Sequence, residues 1–355
     1  MNPNEQKLEY PLGEQLPQPG TALAVADGVR WVRLPLPFAL DHINVWLLRD
    51  QIDGREGWTI VDCGVARDEV KAQWEQIFAE ALDGLPVLRV IVTHMHPDHI
   101  GLAAWLCERW QAPLWMTMTD YATAGLWSTG SHTGGPSGNG ALAHYMRHGL
   151  VDPEAQEAIG KRKNYYPGLV PAVPHTFRRI MNGDRIHVGG REWRVIVGYG
   201  HAPEHASLYC ETLQVLISGD MLLPRISTNV SVFNFEPEAN PLPLYLNSLR
   251  AYDDLARETL VLPSHGRPFR NMHERLAQQH AHHAERLDEV LAACTQPQSA
   301  ADIVPTMFRR KLDHHQLTFA MGEALAHLHA LYYEGQLRRI LGEDGIYRFQ
   351  RVGAD

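Results

Sequence analysis

The chain has 355 residues, 45% of them apolar and 21% charged, and a formal charge of −9, which is an ordinary composition for a folded, water-exposed protein. It holds no apolar run of about 18 residues, so no membrane-spanning helix is expected, and its negative charge argues against nucleic acid as the main partner, because phosphate binding draws on Lys and Arg. The four cysteines, Cys63, Cys107, Cys210 and Cys294, are far apart and form no C-x-x-C pair, which excludes a disulfide framework or a cysteine zinc site.

The opening residues, MNPNEQKLEYPLGEQ, show no basic stretch leading into an apolar one, and a cytoplasmic location is expected. WTIVDCG (58–64) reads as a buried strand ending in a turn. RDEVKAQWEQIFAEAL (67–82) follows with Val70, Trp74, Ile77, Phe78 and Leu82 at helical spacing. LRVIVTH (88–94) is a second strand and GLAAWLCERW (101–110) a second helix. An insertion over about 119–182 contains the Gly/Ser/Thr-rich LWSTGSHTGGPSGNG (126–140) and the Pro-punctuated NYYPGLVPAVPHTF (164–177). Segments of this length serve as lids or binding loops, or as purely structural excursions. WRVIVGYGH (193–201), LQVLISGD (213–220) and TLVLPSH (259–265) read as strands, with a helix over 243–258. This alternation argues for an α/β architecture. A long helix covers 271–294; its His280, His282 and His283 do not share one face, so a solvated helix face is expected there. After TQPQS (295–299), two helices and a terminal β element close the chain.

Four of these apolar runs deliver a His or Asp at their C-terminal end. LRVIVT leads into His94, His96, Asp98 and His99; the others lead into His201, Asp220 and His265. If the strands are neighbours, these groups converge on one sheet edge, which is where open α/β folds bind ligands. Imidazole and carboxylate donors suit Zn, Fe or Mn. His94 and His96 alternate on an extended segment and place both rings on one side. Asp98 and His99 begin the next turn and can face a second ion, and Asp220 is the candidate to bridge the two.

Together these stretches resemble the metallo-β-lactamase fold superfamily. HMHPDH matches its H-x-H-x-D-H signature, VDCG its strand-end aspartate motif with Asp62, and SGD and PSHG its last two motifs. GHAPEH resembles the G-H-[ST]-x-[GD]-H segment, with Ala202 and Glu204 departing from it. The resemblance implies an αββα sandwich with His94, His96 and His201 on one metal, Asp98, His99 and His265 on the other, and Asp220 between them. It implies two divalent ions, zinc first, with iron or manganese as the other options. Asp62 would brace the loop around the first-site histidines, and His205 would stand behind the ligands. The domain order implied is a metal-binding domain over 1–270, a connecting helix over 271–295, and a small winged-helix-like module over 296–355. The charges of that module balance, so packing, homodimer formation or a pocket wall is favoured over nucleic-acid binding.

Asp220 argues against a true β-lactamase, since those generally lack the bridging Asp. The expectation is a dinuclear metal-dependent hydrolase of a small molecule. A metal-bridging hydroxide would attack a thioester, ester or lactone carbonyl, assisted by Asp98. The alternatives are ribonuclease-type phosphodiester cleavage, a mononuclear iron sulfur dioxygenase, and a metal-stabilised binding protein without turnover. Arg225, Tyr165 and Tyr166 are the candidate substrate-binding residues.

Overall fold

The computed structural model describes residues 5–38, 40–130 and 138–353; of the Gly/Ser/Thr-rich stretch, residues 131–137 lie outside the described residues. Seven strands form the first sheet in chain order: β1 (Leu23–Ala26), β2 (Val29–Pro35), β3 (His42–Ile52), β4 (Arg55–Val61), β5 (Val87–Ile91), β6 (Leu114–Met116) and β7 (Phe177–Arg179). The second sheet runs β12–β11–β10–β9–β8, from β8 (Arg185–Val188), β9 (Arg191–Gly198), β10 (His205–Cys210), β11 (Val215–Gly219) and β12 (Leu260–Pro263). A hairpin of β13 (Leu337–Leu341) and β14 (Tyr347–Arg351) stands apart.

The helices in chain order are α1 (Asp68–Glu80), α2 (Pro97–Ile100), α3 (Ala103–Trp110), α4 (Met118–Ser128), α5 (Gly138–Arg147), α6 (Pro153–Lys161), α7 (Tyr166–Leu169), α8 (Pro241–Leu249), α9 (Met272–Ala293), α10 (Ala300–Met307) and α11 (His314–Tyr333). None among the described residues is long and apolar enough to cross a membrane. The helix expected over 243–258 ends early, giving way to a 3-10 turn at Arg250–Tyr252.

Two compact units emerge. One comprises Met1–Thr129, Tyr165–Thr228 and Ser248–Leu276; the other comprises Gly130–Asn164, Asn229–Asn247 and Ala277–Asp355. Contacts therefore group the chain otherwise than in the linear order 1–270, 271–295, 296–355. Residues 130–164 of the expected insertion join the C-terminal residues because α5 and α6 bury Ala141, Tyr145, Ala155 and Ile159 there, and the Tyr145 hydroxyl donates to the Thr318 carbonyl of α11.

In the first unit, the period-two alternation of the strands builds two apolar layers. Trp31, Trp46, Leu48 and Val61 point from the first sheet toward Val195, Leu208, Ile217 and Leu262 of the second. Their neighbours Val32, Leu34, Val45 and Ile60 point the other way, against Val70, Trp74, Ile77 and Phe78 of α1. The β4–β5 pairing is parallel; β10 is antiparallel to both β9 and β11, and β11 is parallel to β12. It follows that β9, β11 and β12 run the same way and end at the same edge.

In the second unit, α11 is buried almost all round, which fits its run of Ala, Leu and Met. The solvated face expected for the histidines of α9 is not found. His283 is fully buried, its Nδ1 3.2 Å from Nε2 of His327, with its ring edge-on to Tyr245; His280 and His282 are half-buried. The three do not share a face, as their spacing requires, but the face that His283 occupies is apolar and turns inward.

Candidate metal centre

The strand ends bring the chemistry together. His94 lies three residues beyond β5, His201 three beyond β9, Asp220 directly after β11 and His265 two beyond β12. Backbone bonds weld the two sheets at this edge: Ala206 N–H donates to Thr93 O, and Asn44 N–H to Ser264 O.

Two groups of donors result, within which the donor atoms all lie within 4.8 Å of one another: His94, His96, His201 and Asp220, and Asp98, His99 and His265. In the first group, His94 Nε2 faces His96 Nδ1 at 2.8 Å and His201 Nε2 at 3.3 Å. Asp220 lies between the groups. Its Oδ2 is 3.3 Å from His201 Nε2, and its Oδ1 is 3.4 Å from His265 Nε2 and 3.6 Å from His99 Nε2. Asp98 reaches His265 at 3.4 Å and His99 at 3.6 Å. His94, His99 and His265 are buried, while His96, Asp98 and His201 are slightly more exposed and form the more open side.

Neighbours fix which nitrogen of each ring is bare. Asp62, the residue after β4, adopts φ 65°, a strained conformation that turns its carboxylate back onto β5. There it accepts the Thr93 N–H at 2.8 Å and the Thr93 hydroxyl at 2.9 Å, and it binds His99 Nδ1 at 2.8 Å. The Thr93 hydroxyl, donating to Asp62, is left as an acceptor for His94 Nδ1 at 3.0 Å. His265 Nδ1 donates to the His42 carbonyl. In each case Nδ1 is held by its neighbour and Nε2 is the nitrogen turned inward. Asp62 was expected to brace the first-site histidines; its direct bond falls on His99 of the second group, and it reaches His94 only through Thr93. His205, second in line behind the donors, accepts the Asp220 N–H through Nε2 at 3.0 Å. Gly219 permits that contact, since at φ 54° a Cβ would sit 2.3 Å from His205 Nε2. Gly101, at the end of the HMHPDHIG stretch, is likewise enclosed: a Cβ there would lie 2.5–2.6 Å from three backbone carbonyls.

Electrostatics separates the groups. Burial and the neighbouring imidazoles hold His94 well below the usual histidine range and His96 at about 3, so both are neutral donors. Burial opposes charge on His265 too, but Asp220 and Asp98 outweigh it and raise its pKa to about 10. Burial would raise Asp98, yet His99 and His265 bring it down to about 2. The donor set fits divalent ions. His99 Nε2 and Asp220 Oδ1 are buried and make no hydrogen bond, an arrangement that costs free energy unless something else binds there. His94, His96 and His201 would hold one ion and Asp98, His99 and His265 another.

The candidate substrate residues fall elsewhere. The Tyr166 hydroxyl is buried and donates to the Met95 carbonyl at 2.6 Å. Tyr165 is half-buried against the apolar layer outside the first sheet. Arg225 is largely exposed, 3.8 Å from Glu5. Asp120 is a residue that sequence pattern alone misses. Fully buried, it accepts Met95 N–H at 2.8 Å and Glu204 N–H at 2.6 Å. Its only sequence signal is T-x-x-D at the start of α4, which reads as a helix cap.

Comparison with known proteins identifies the family. The model of the Metallo-beta-lactamase superfamily matches residues 39–265, and that of the Metallo-beta-lactamase-like, C-terminal domain matches 287–352. The chain is 56% identical to a beta-lactamase domain protein from Burkholderia ambifaria of known structure, covering 99% of this chain and 100% of that one with a TM-score of 0.93. A metallo-beta-lactamase family protein from Thermus thermophilus is 28% identical, covering 92% and 100% respectively, with a TM-score of 0.74. The probable metallo-hydrolase YqjP of Bacillus subtilis is 24% identical over 85% of this chain and 92% of its own. With a family match over most of its length and the strand-end histidines gathered as that fold gathers them, the chain belongs to the metallo-beta-lactamase superfamily.

Proposed function

We propose that this protein is a dinuclear metal-dependent hydrolase acting on the carbonyl of a small thioester, ester or lactone. The observation that carries the reading is Asp220, whose two carboxylate oxygens face different donor groups. Two divalent ions held there would supply a water made acidic near neutral pH and an electrophile for the substrate's oxygen. The chain's own residues do the rest. Asp98, kept ionised by His99 and His265, is placed to orient the attacking water and to take up its proton. The more open side formed by His96, Asp98 and His201 is the way in for substrate.

Elemental analysis of protein expressed without added metal, as wild type and Asp220→Ala, tests this. Two equivalents of zinc or manganese in the wild type and fewer in the variant are expected. Turnover of a thioester, ester or lactone panel should fall with the metal. A single iron per chain, retained in the variant, would overturn the dinuclear reading and favour oxygen-dependent sulfur chemistry.

A further inference from the structure

The loop that carries His201 departs from the family pattern at Ala202 and Glu204, and residues 117–120 at the start of α4 bind Glu204. The Glu204 carboxylate accepts the Thr119 N–H at 3.1 Å, and its carbonyl accepts the Thr117 hydroxyl at 2.9 Å. In return, Asp120 of the same turn accepts the Glu204 N–H through Oδ2 and the Met95 N–H through Oδ1. Met95 stands between His94 and His96, and Glu204 is three residues past His201. One buried carboxylate thus joins the two loops that carry the three imidazoles of the first group.

We propose that Asp120 is a positioning residue for the first donor group: it holds these loops in register so that His94, His96 and His201 converge. The proposal rests on the metal-centre reading above. A carboxylate is required because each of its oxygens takes one N–H. An Asn has a single acceptor oxygen, so its amide group would meet the other N–H donor to donor. Asp120 is fully buried, so an unmet N–H there is costly. The second group is held by other bonds, from His99 to Asp62 and from His265 to the His42 carbonyl. Loss of Asp120 therefore acts on one half of the centre.

The test is zinc titration of the metal-free full chain, as wild type, Asp120→Asn, His96→Ala and His265→Ala, with cobalt spectra of each. In Asp120→Asn, zinc affinity at one site should fall about 10- to 100-fold, the range for lost outer partners of metal-binding histidines. The other site should stay within roughly threefold. At one equivalent of cobalt, Asp120→Asn should give the spectrum of His96→Ala, not of His265→Ala. Thr117→Val, which removes the hydroxyl's bond to the Glu204 carbonyl and its longer 3.4 Å contact with Asp120 Oδ2, should act in the same direction by less than about tenfold; it serves if Asp120→Asn does not fold. Unchanged affinity at both sites, in Asp120→Asn or in Thr117→Val if only that variant folds, would overturn the proposal. So would equal loss at both, which marks a general structural role. A wild type that binds no zinc would overturn the metal-centre reading itself, and this inference with it.

Discussion

Asp62→Asn keeps the shape of the side chain and removes one acceptor. The Asn oxygen would take the Thr93 N–H, now 2.8 Å from Asp62. Its amide group would then face His99 Nδ1, now 2.8 Å from the carboxylate. To avoid two opposed donors, His99 must bare Nδ1 and carry its proton on Nε2. That nitrogen is the one aimed at Asp98 and Asp220, each 3.6 Å away, and a protonated nitrogen cannot bind a metal. The bond lost is a charge-assisted one, worth about 1.5–3 kcal/mol. At about 1.4 kcal/mol per factor of ten, metal affinity at the second group should fall roughly 10- to 150-fold. Zinc titration of wild type and variant reads the loss. Second-group affinity within about threefold of wild type would refute the reasoning.

Tyr166→Phe removes the hydroxyl bond to the buried Met95 carbonyl, at a cost of about 1–3 kcal/mol. Thermal melts should show Tm lower by roughly 2–10 °C, with KM unchanged for whichever substrate is turned over; a raised KM at unchanged Tm would return Tyr166 to the substrate site. Mild acid should unfold the second unit. Burial and neighbouring imidazoles depress His144 and His327 to about 4, His148 to about 3 and His283 to about 2. Bases with lowered pKa contribute stability that is complete above about 6.5 and is lost as pH falls below it. By pH 5 each loses about 2 kcal/mol, and Glu323, raised to about 7 by its burial, returns about as much as one histidine loses. The net loss of about 6 kcal/mol is comparable to the whole stability of a domain. Hydrogen exchange between pH 7 and 4.5 should show cooperative loss of protection in α11, and protection persisting at pH 4.5 would exclude it.

The donors were legible in the sequence because each sits where an apolar run stops. Strand ends are marked by composition, and side chains at a strand's carboxyl end have only one edge to converge on. What holds the donors was harder to read. Asp120 lies past β6, in a turn whose T-x-x-D spelling serves a helix cap equally well; only tertiary structure shows its carboxylate spent on Met95 and Glu204. Tyr166 reads as a candidate for substrate binding because it is an aromatic within the expected insertion over 119–182. Its hydroxyl is buried instead, on the backbone between two histidines. His283 was hidden by periodicity, since spacing excludes a shared face for His280, His282 and His283 but says nothing of which one turns inward. Residues 130–164 grouped with the C-terminal residues for a reason no local pattern carries, namely that their apolar faces pack on a helix far along the chain, as Tyr145 and Thr318, 173 residues apart, show.

The same separation of donors from their supports bears on the substrate. The basic residues that would favour a nucleic acid are Lys161, Arg162, Lys163, Arg178 and Arg179. They divide between the two compact units. Lys161 pairs with Glu157, Arg162 bonds His315, and Arg178 lies over the Trp115 ring at 4.1 Å. At the open side a phosphodiester would bring its negative charge up against the ionised Asp98. A neutral carbonyl makes no such demand. It needs only an oriented water and a partner for the oxygen as charge develops on it, and the Asp98 carboxylate supplies the first without repelling an uncharged substrate.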